Sequence, residues 1–297
     1  MTIMAAQNAE TAAEVTAMPD ADFAAFVRLV RDHTGIVLTE SKRWMLTSRL
    51  TREIRRLNLP DFASYRRLLE QPGAADQLQS LISAVTTNVT SFFRGADQFD
   101  TLAQLVPGMR ERVRRGGRVR LWSAGCSTGQ EPYSIAMTLL DQWPEVLQAD
   151  VLILATDIDA AVVQTARRGI YDARELDEVA NPLLRKFTAP GPQPGTVVTA
   201  PPLREMIRFE RLNMLEPWPF SGQFDVIFCR NVVIYFDAET RCQLWQRFAE
   251  RLDPGGWLFV GHSERVAQSL EGVLKPSGVT RYRRTDRPIP SGRASPS

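Results

Sequence analysis

Cysteine and histidine are the scarce residues of this 297-residue chain, with three of the first and two of the second. Cys126, Cys229 and Cys242 are odd in number and widely spaced. They make neither a disulfide framework nor a zinc pattern, so a reducing cytoplasm is expected. His33 and His262 are distant from each other, and with scattered cysteines they give no credible ligand set; no metal is expected. No apolar run approaches the ~20 residues needed to span a bilayer. The opening MTIMAAQNAETAAEVTAMPD lacks a basic stretch followed by an apolar block, so it does not read as a signal peptide. A soluble cytoplasmic protein without membrane insertion is the expectation. Charge of one sign is also thin, and a net +2 does not by itself imply nucleic acid.

What is present is an ordinary globular composition, 44% hydrophobic and 24% charged, in a chain long enough for one large domain or two modest ones. Its character changes near residue 90. Before that point the spacing is helical. Asp20 or Asp22 is a candidate cap for a helix bearing Phe23, Phe26, Val27 and Val30. Ser41 is a candidate cap for a second, with Leu46, Leu50, Ile54 and Leu57 on one face. Further helices are expected at about Phe62–Glu70, Ala75–Val85 and Gln98–Arg115. Beyond Gly117 strands and helices alternate: strand Val119–Ala124, helix Glu131–Gln142, strand Val151–Ala155, helix Ala160–Arg168, strand Phe224–Cys229, helix Ala238–Leu252, a turn at Asp253-Pro-Gly-Gly, and strand Trp257–Val260. That order indicates an α/β, doubly wound, mostly parallel sheet with a small all-helical N-terminal domain. A Pro- and Gly-rich stretch, about 170–208, is too long for an ordinary connection and reads as a small inserted β-subdomain. The expected domains are a helical one over 19–90 and an α/β one over 91–284. Disordered segments are expected at 1–18 and 285–297.

The stretch Leu121–Ser134, LWSAGCSTGQEPYS, runs from a strand through two glycines into a helix. In an open parallel sheet ligands settle at the carboxyl ends of strands, where this loop lies. It lacks the third glycine of a dinucleotide fingerprint and the Gly-Lys-Ser/Thr of a P-loop. The second strand ends at Thr156-Asp157-Ile158-Asp159. Asp157 is open to two readings, an acceptor for ribose hydroxyls or a helix cap, and Asp159 is the better pure cap. A third strand end carries Arg230 and Asn231. Acidic and amide-bearing positions around one crevice suit an adenosine with a charged amino-acid tail, which favours S-adenosylmethionine over NAD. Cys126 paired with His262 as a nucleophile is the weaker reading beside a small buried thiol. His33 reads as a helix C-terminal partner.

These landmarks occur in an order that resembles the bacterial chemotaxis receptor glutamate methyltransferases (CheR type). They include Thr87–Arg94 (TNVTSFFR), Ser123–Ser134, Ala155–Asp159, Arg211–Leu215 (RLNML), Phe228–Phe236 (FCRNVVIYF), Leu252–Gly256 and Gly261–Glu264 (GHSE). The resemblance runs from about Asp22 to Arg283. It implies the S-adenosylmethionine-dependent methyltransferase fold, S-adenosyl-L-methionine as cofactor and S-adenosyl-L-homocysteine as product. By position it implies cofactor contacts from Asn88, Thr90, Arg94, Glu131, Asp157, Asn213, Met214, Arg230 and Asn231. Met214 replaces the leucine common at its place. Arg94 is open to holding the cofactor's carboxylate or orienting the incoming glutamate. Tyr235 is open to lining the transfer channel or simply packing at the strand end.

The implied reaction suits a histidine-poor chain, because a glutamate carboxylate with pKa ~4.3 is already ionised near neutrality and needs no general base. Positioning and desolvation are then the protein's tasks. In SKRWMLTSRLTREIRRLN, Ser41–Asn58, Arg49, Arg52, Arg55 and Arg56 lie opposite the apolar stripe, with Glu53 as the acidic partner within the basic stretch. The bland reading is a solvated helix face. The resemblance implies docking on the cytoplasmic helices of methyl-accepting chemotaxis receptors by a protein expected to be a monomer. In some members a piece equivalent to the insertion grips a receptor's C-terminal peptide by strand addition. Two rivals stand beside this reading. A nucleic-acid methyltransferase is disfavoured because Arg-Asn-Val-Val stands where an Asn/Asp-Pro-Pro-aromatic run is expected. A catalytically silent, cofactor-sensing scaffold is disfavoured by the intact polar positions.

Overall fold

The computed structural model describes residues 17–289. Of the terminal segments expected to be disordered, residues 1–16 and 290–297 lie outside that range. Met18 is buried, and Thr285 is held by its amide to Val273 O at 2.8 Å and its hydroxyl to Gly272 O at 2.8 Å. The chain divides into two compact units, one through Thr86 and the other from Thr87.

The first unit is helical: α1 (Asp20–Thr34), α2 (Arg43–Arg56), α3 (Phe62–Leu69) and α4 (Ala75–Val85). Apolar residues at spacings of three and four bring Phe26, Leu46, Leu50, Ile54, Tyr65 and Leu81 into a fully buried core. Gly35 ends α1 in the left-handed conformation, φ 71°, donating its amide to Arg31 O. Neither expected cap is used. Asp22 is buried inside α1, 3.4 Å from Arg66 of α3, and Ser41 sits in a short 3-10 turn with its hydroxyl 2.8 Å from that of Thr39.

The arginines of α2 separate into different environments. Arg52 and Arg55 are exposed, and Arg56 pairs with Glu53 at 2.7 Å. Arg49 is half-buried and donates to the carbonyls of Ala84 at 3.0 Å and Thr86 at 2.8 Å. The end of a helix leaves carbonyls without intrahelical donors, and this long side chain reaches that end of α4. Arg49→Ala should therefore destabilise the first unit by about 1.5–3 kcal/mol. Thermal unfolding checks this, with Arg52→Ala, whose side chain is exposed, as the neutral comparison.

The second unit contains α5 (Ala96–Arg114), β1 (Val119–Ala124), α6 (Gln130–Gln142), β2 (Val151–Asp157), α7 (Ala160–Arg168), β3 (Ile170–Asp172), α8 (Ala173–Asp177), α9 (Pro182–Phe187), β4 (Thr188–Pro190), β5 (Thr196–Thr199), α10 (Pro201–Glu205), β6 (Ile207–Arg211), β7 (Phe224–Cys229), α11 (Ala238–Arg251), β8 (Leu252–Val260), β9 (Leu274–Pro276) and β10 (Arg281–Arg284). The main sheet has seven strands in the order β6-β2-β1-β7-β8-β10-β9. Pairings from β6 to β8 are parallel, while β10 is antiparallel to both β8 and β9. From β1 the chain winds outward to β2 and β6, then returns to β7 on the other side of β1. The reversal falls at the carboxyl ends of β1 and β7, where sheets wound this way bind their ligands.

The insertion is a three-stranded antiparallel sheet in the order β3-β5-β4. It ends earlier than the expected 208, because Ile207–Arg211 is an edge strand of the main sheet. In β6, Ile207 and Phe209 are buried while Arg208 and Glu210 alternate outward and pair at 2.9 Å. Arg167 of α7 donates to Phe209 O at 3.1 Å. Asp253-Pro-Gly-Gly, expected as a turn, lies within β8. It forms a bulge: the register shifts between Phe224 and Val226, and Gly255 has φ 83°. Trp122 is fully buried against Trp218, Phe220, Phe224 and Phe248, with ring centroids 4.8–5.3 Å away.

Candidate active site

The end of β1 and the end of β2 are stitched together. Gly125 and Cys126 both donate their amides to Thr156 O, at 2.8 and 2.9 Å. Gly125 has φ 86°, and a methyl group there would collide with Val232 Cγ2 on the turn after β7. Gly129 has φ 100°, and a methyl group there would meet Ala166 Cβ and the Tyr171 hydroxyl at 2.8 Å. Both glycines are thus required by conformation and by space. Between them Ser127, at φ 50°, donates its amide to Asp157 Oδ2 at 2.8 Å and its hydroxyl to Asn88 O at 2.9 Å.

Asp157 is buried at the tip of β2, and its Oδ1 accepts the Asp159 amide at 3.0 Å. Desolvation outweighs these amide donors and pushes its carboxyl up to about 6. Asp159 caps α7 through the Ala161 amide at 2.9 Å and also accepts Asn88 Nδ2 at 3.0 Å. Leu212 donates its amide to Asp157 O at 2.9 Å, which sets Asn213 beside the same strand end. Asn213 Oδ1 accepts the Leu215 amide at 3.0 Å, and Met214 is buried.

A buried ion pair lies at the ends of β1 and β7. Arg230 Nη1 stands 3.1 Å from Glu131 Oε2, and Ser123 donates its hydroxyl to Glu131 Oε1 at 2.7 Å. Gly95, next to the exposed Arg94, lies against the Arg230 guanidinium. Arg94 donates only to Val89 O, at 3.3 Å, and makes no ion pair among the described residues. Tyr235 is half-buried, with its amide donating to Val232 O at 3.3 Å. The glycine turn, Asn88, Asp157, Glu131 and Arg230 are thus linked along a rim at the strand ends, with Asn213 and Asn231 following closely on β6 and β7. Thr90 is half-buried on the segment between Asn88 and Arg94.

Residues 88–283 match the family model described as CheR methyltransferase, SAM binding domain, and residues 21–86 match the CheR methyltransferase all-alpha domain. The chain belongs to the CheR methyltransferase family. A relative in Rhizobium etli named "Probable chemotaxis protein methyltransferase" is 42% identical over 260 residues, covering 86% of this chain and 97% of the relative. A "Chemotaxis protein methyltransferase" of Escherichia coli (strain K12) is 41% identical over 279 residues, 91% of this chain and 92% of the relative. "Chemotaxis protein methyltransferase 2" of Pseudomonas aeruginosa is 42% identical over 252 residues, 84% and 88%.

As a CheR methyltransferase, the protein is an enzyme that uses S-adenosylmethionine as cofactor. The rim fits that group. A carboxylate has about four acceptor positions, and the Asp157 side chain accepts two amides, Ser127 and Asp159, leaving room for hydroxyl donors. Arg230 Nε is buried without an acceptor among the described residues, so a donor is also left over. The Cys126 thiol is buried, and burial raises its pKa well above the usual thiol value, which suits an inert packing residue. His262 is exposed on the loop after β8. Two residues assigned no individual role in the sequence are prominent here. Ser127 links Asn88 to Asp157, and Glu264, 2% exposed, receives four backbone amides.

Proposed function

We propose that this chain, acting as a cytoplasmic monomer, transfers the methyl group of S-adenosylmethionine to glutamate side chains on the cytoplasmic helices of chemotaxis receptors. The observation that carries the reading is the match of both the helical and the cofactor-binding domain to one family, with relatives named for chemotaxis along most of their length. When bound, the cofactor supplies a methyl group activated by its sulfonium. The protein's residues do the rest. Asp157 accepts the ribose hydroxyls, with Ser127 and Asp159 holding its carboxylate in place. Arg94 takes a carboxylate, either the cofactor's own or the incoming glutamate's. Asn88, Thr90, Glu131, Asn213, Met214, Arg230 and Asn231 shape the rest of the cofactor site, and Tyr235 borders the approach of the glutamate. That glutamate is ionised at neutral pH, so no side chain has to remove a proton. What the site adds is alignment and exclusion of water.

Docking falls to the exposed side of α2. Trp44 is 81% exposed, and at 3.6 residues per turn it shares a side with Arg52 and Arg55. An aromatic beside cations suits an acidic receptor helix. The deciding experiment incubates the protein with labelled methyl donor and receptor cytoplasmic fragments. Base-labile label on glutamate supports the proposal; label on nucleic acid, or binding without any transfer, overturns it. In the same assay Arg52→Glu combined with Arg55→Glu should raise the KM for the receptor fragment, leave cofactor affinity unchanged, and reduce sensitivity to added salt.

The raised carboxyl of Asp157 gives a pH dependence with a definite sign. In the folded chain the proton is held up to about 6, against an ordinary 3.8. The resulting stabilisation is complete below the ordinary value and is lost as pH rises through about 6. Hydroxyl donors favour the ionised form, so cofactor binding has the opposite trend. S-adenosylhomocysteine affinity measured by calorimetry should fall about tenfold between roughly pH 7.5 and pH 5. In Asp157→Asn it should be weak at both and nearly flat.

A further inference from the structure

After Cys229 the chain leaves β7 through Arg230 and then Asn231, a non-glycine residue at φ 58°. Left-handed backbone is unfavourable for residues other than glycine, and asparagine is among those that adopt it most readily. Val232 follows at φ −115° and ψ −49°. This alternation turns successive amides toward one point and makes a concavity suited to an anion. The anion is the chain's own. Glu264 Oε2 accepts the amides of Asn231 at 2.9 Å and Gly261 at 2.6 Å, and Oε1 accepts those of Val232 at 2.9 Å and Val233 at 3.0 Å. At 2% exposure and with no ion pair among the described residues, this carboxylate is compensated by four backbone donors. Gly261 is the residue that lets the ends of β7 and β8 close on it. A methyl group there would stand 2.7 Å from Glu264 Oε2 and 3.0 Å from Asn231 N.

We infer that Glu264 is a positioning residue for methyl transfer: its carboxylate sets the 231–233 backbone that carries Asn231 on the rim, seats Val232 against Gly125 and starts the turn bearing Tyr235. Gly125 and Val232 are close enough that no Cβ fits between them, so the placement of this turn fixes one wall against the glycine loop. Asp157 and Ser127 stand on the other side of that loop and do not depend on the Glu264 clamp. Glu264 should accordingly act on turnover through the turn bearing Tyr235, with cofactor affinity reduced only by the share that Asn231 and the Val232 wall contribute.

The inference rests on the methyl-transfer reading, and the two fail differently. If that reading is wrong, the unaltered protein transfers no methyl group to receptor fragments. If this one is wrong, only the variants disagree. Glutamine at this position supplies one acceptor oxygen and points an amino group at backbone donors; aspartate keeps the charge with a shorter reach. The unaltered protein, Glu264→Gln and Glu264→Asp are titrated calorimetrically with S-adenosylhomocysteine to count competent sites, then assayed for transfer per competent site. Glu264→Gln should lose at least about fivefold in kcat, with its KM for the receptor fragment within about twofold and a smaller kcat loss in Glu264→Asp. A kcat per competent site closer to that of the unaltered protein overturns the inference. Should the glutamine variant fail to fold, hydrogen exchange on the unaltered protein decides. The amides of Asn231, Val232, Val233 and Gly261 should be as protected as those inside β7, and exchange at the rate of an open loop overturns the proposal.

Discussion

Alanine at Gly125 is expected to destabilise the second unit by about 2–4 kcal/mol and to weaken S-adenosylhomocysteine binding at least about tenfold. Two costs combine at this position. The backbone sits at φ 86°, which an alanine adopts only at a penalty of about 1–2 kcal/mol. The new methyl group also collides with Val232 Cγ2, on a β-branched side chain with few rotamers to retreat into. Gly116 separates the two costs within the same unit. Its φ is 82°, but nothing lies within 4 Å of where its Cβ would be. Gly116→Ala should lose only the conformational part and keep ligand affinity. Thermal unfolding and calorimetry on both variants test the difference, and equal losses would show that crowding against Val232 contributes nothing.

Arg230→Met should produce the second large effect. Glu131 and Arg230 are buried together, their side chains 11% and 4% exposed. Removing the guanidinium strands a carboxylate whose remaining hydrogen-bond donor among the described residues is the Ser123 hydroxyl. Breaking one side of such a pair costs about 3–5 kcal/mol, which for a unit of this size lowers the melting temperature by about 10 °C. Glu131→Gln combined with Arg230→Met should recover a substantial part of that loss, because no uncompensated charge remains. A double variant whose destabilisation equals the sum of the single ones would mean that the two groups do not stabilise each other.

Much of this architecture was legible in the residues, and the parts that were not share physical causes. β1, β2 and β7 are mostly apolar runs, largely buried in β1 and β7 and buried toward its end in β2, so they and their glycine or acidic ends stand out. β6, β9 and β10 are short, and β6 and β10 alternate arginine with one or two buried residues, so they resemble loops until a partner strand is present. Helical geometry puts Arg49 on the outward side of α2, but the side chain is long enough to reach carbonyls that only the packed α4 brings near. The rim residues were identifiable one at a time, whereas their pairing was not. Glu131 and Arg230 meet because β1 and β7 are adjacent across the switch in winding, a relation invisible along the chain. Glu264 is hidden for the same reason, since its partners are backbone amides of another strand end in a left-handed turn.

β6, one of the two edge strands of the main sheet, bears on behaviour in concentrated solution. β6 offers an unpaired flank to which a second molecule could add a strand, the usual first contact of sheet-driven aggregation. Its outward side chains are Arg208 and Glu210, already matched to each other, and the Phe209 carbonyl is taken by Arg167. An incoming strand would have to displace that guanidinium and dock against a charged pair. This open edge of the sheet is thus guarded against self-association.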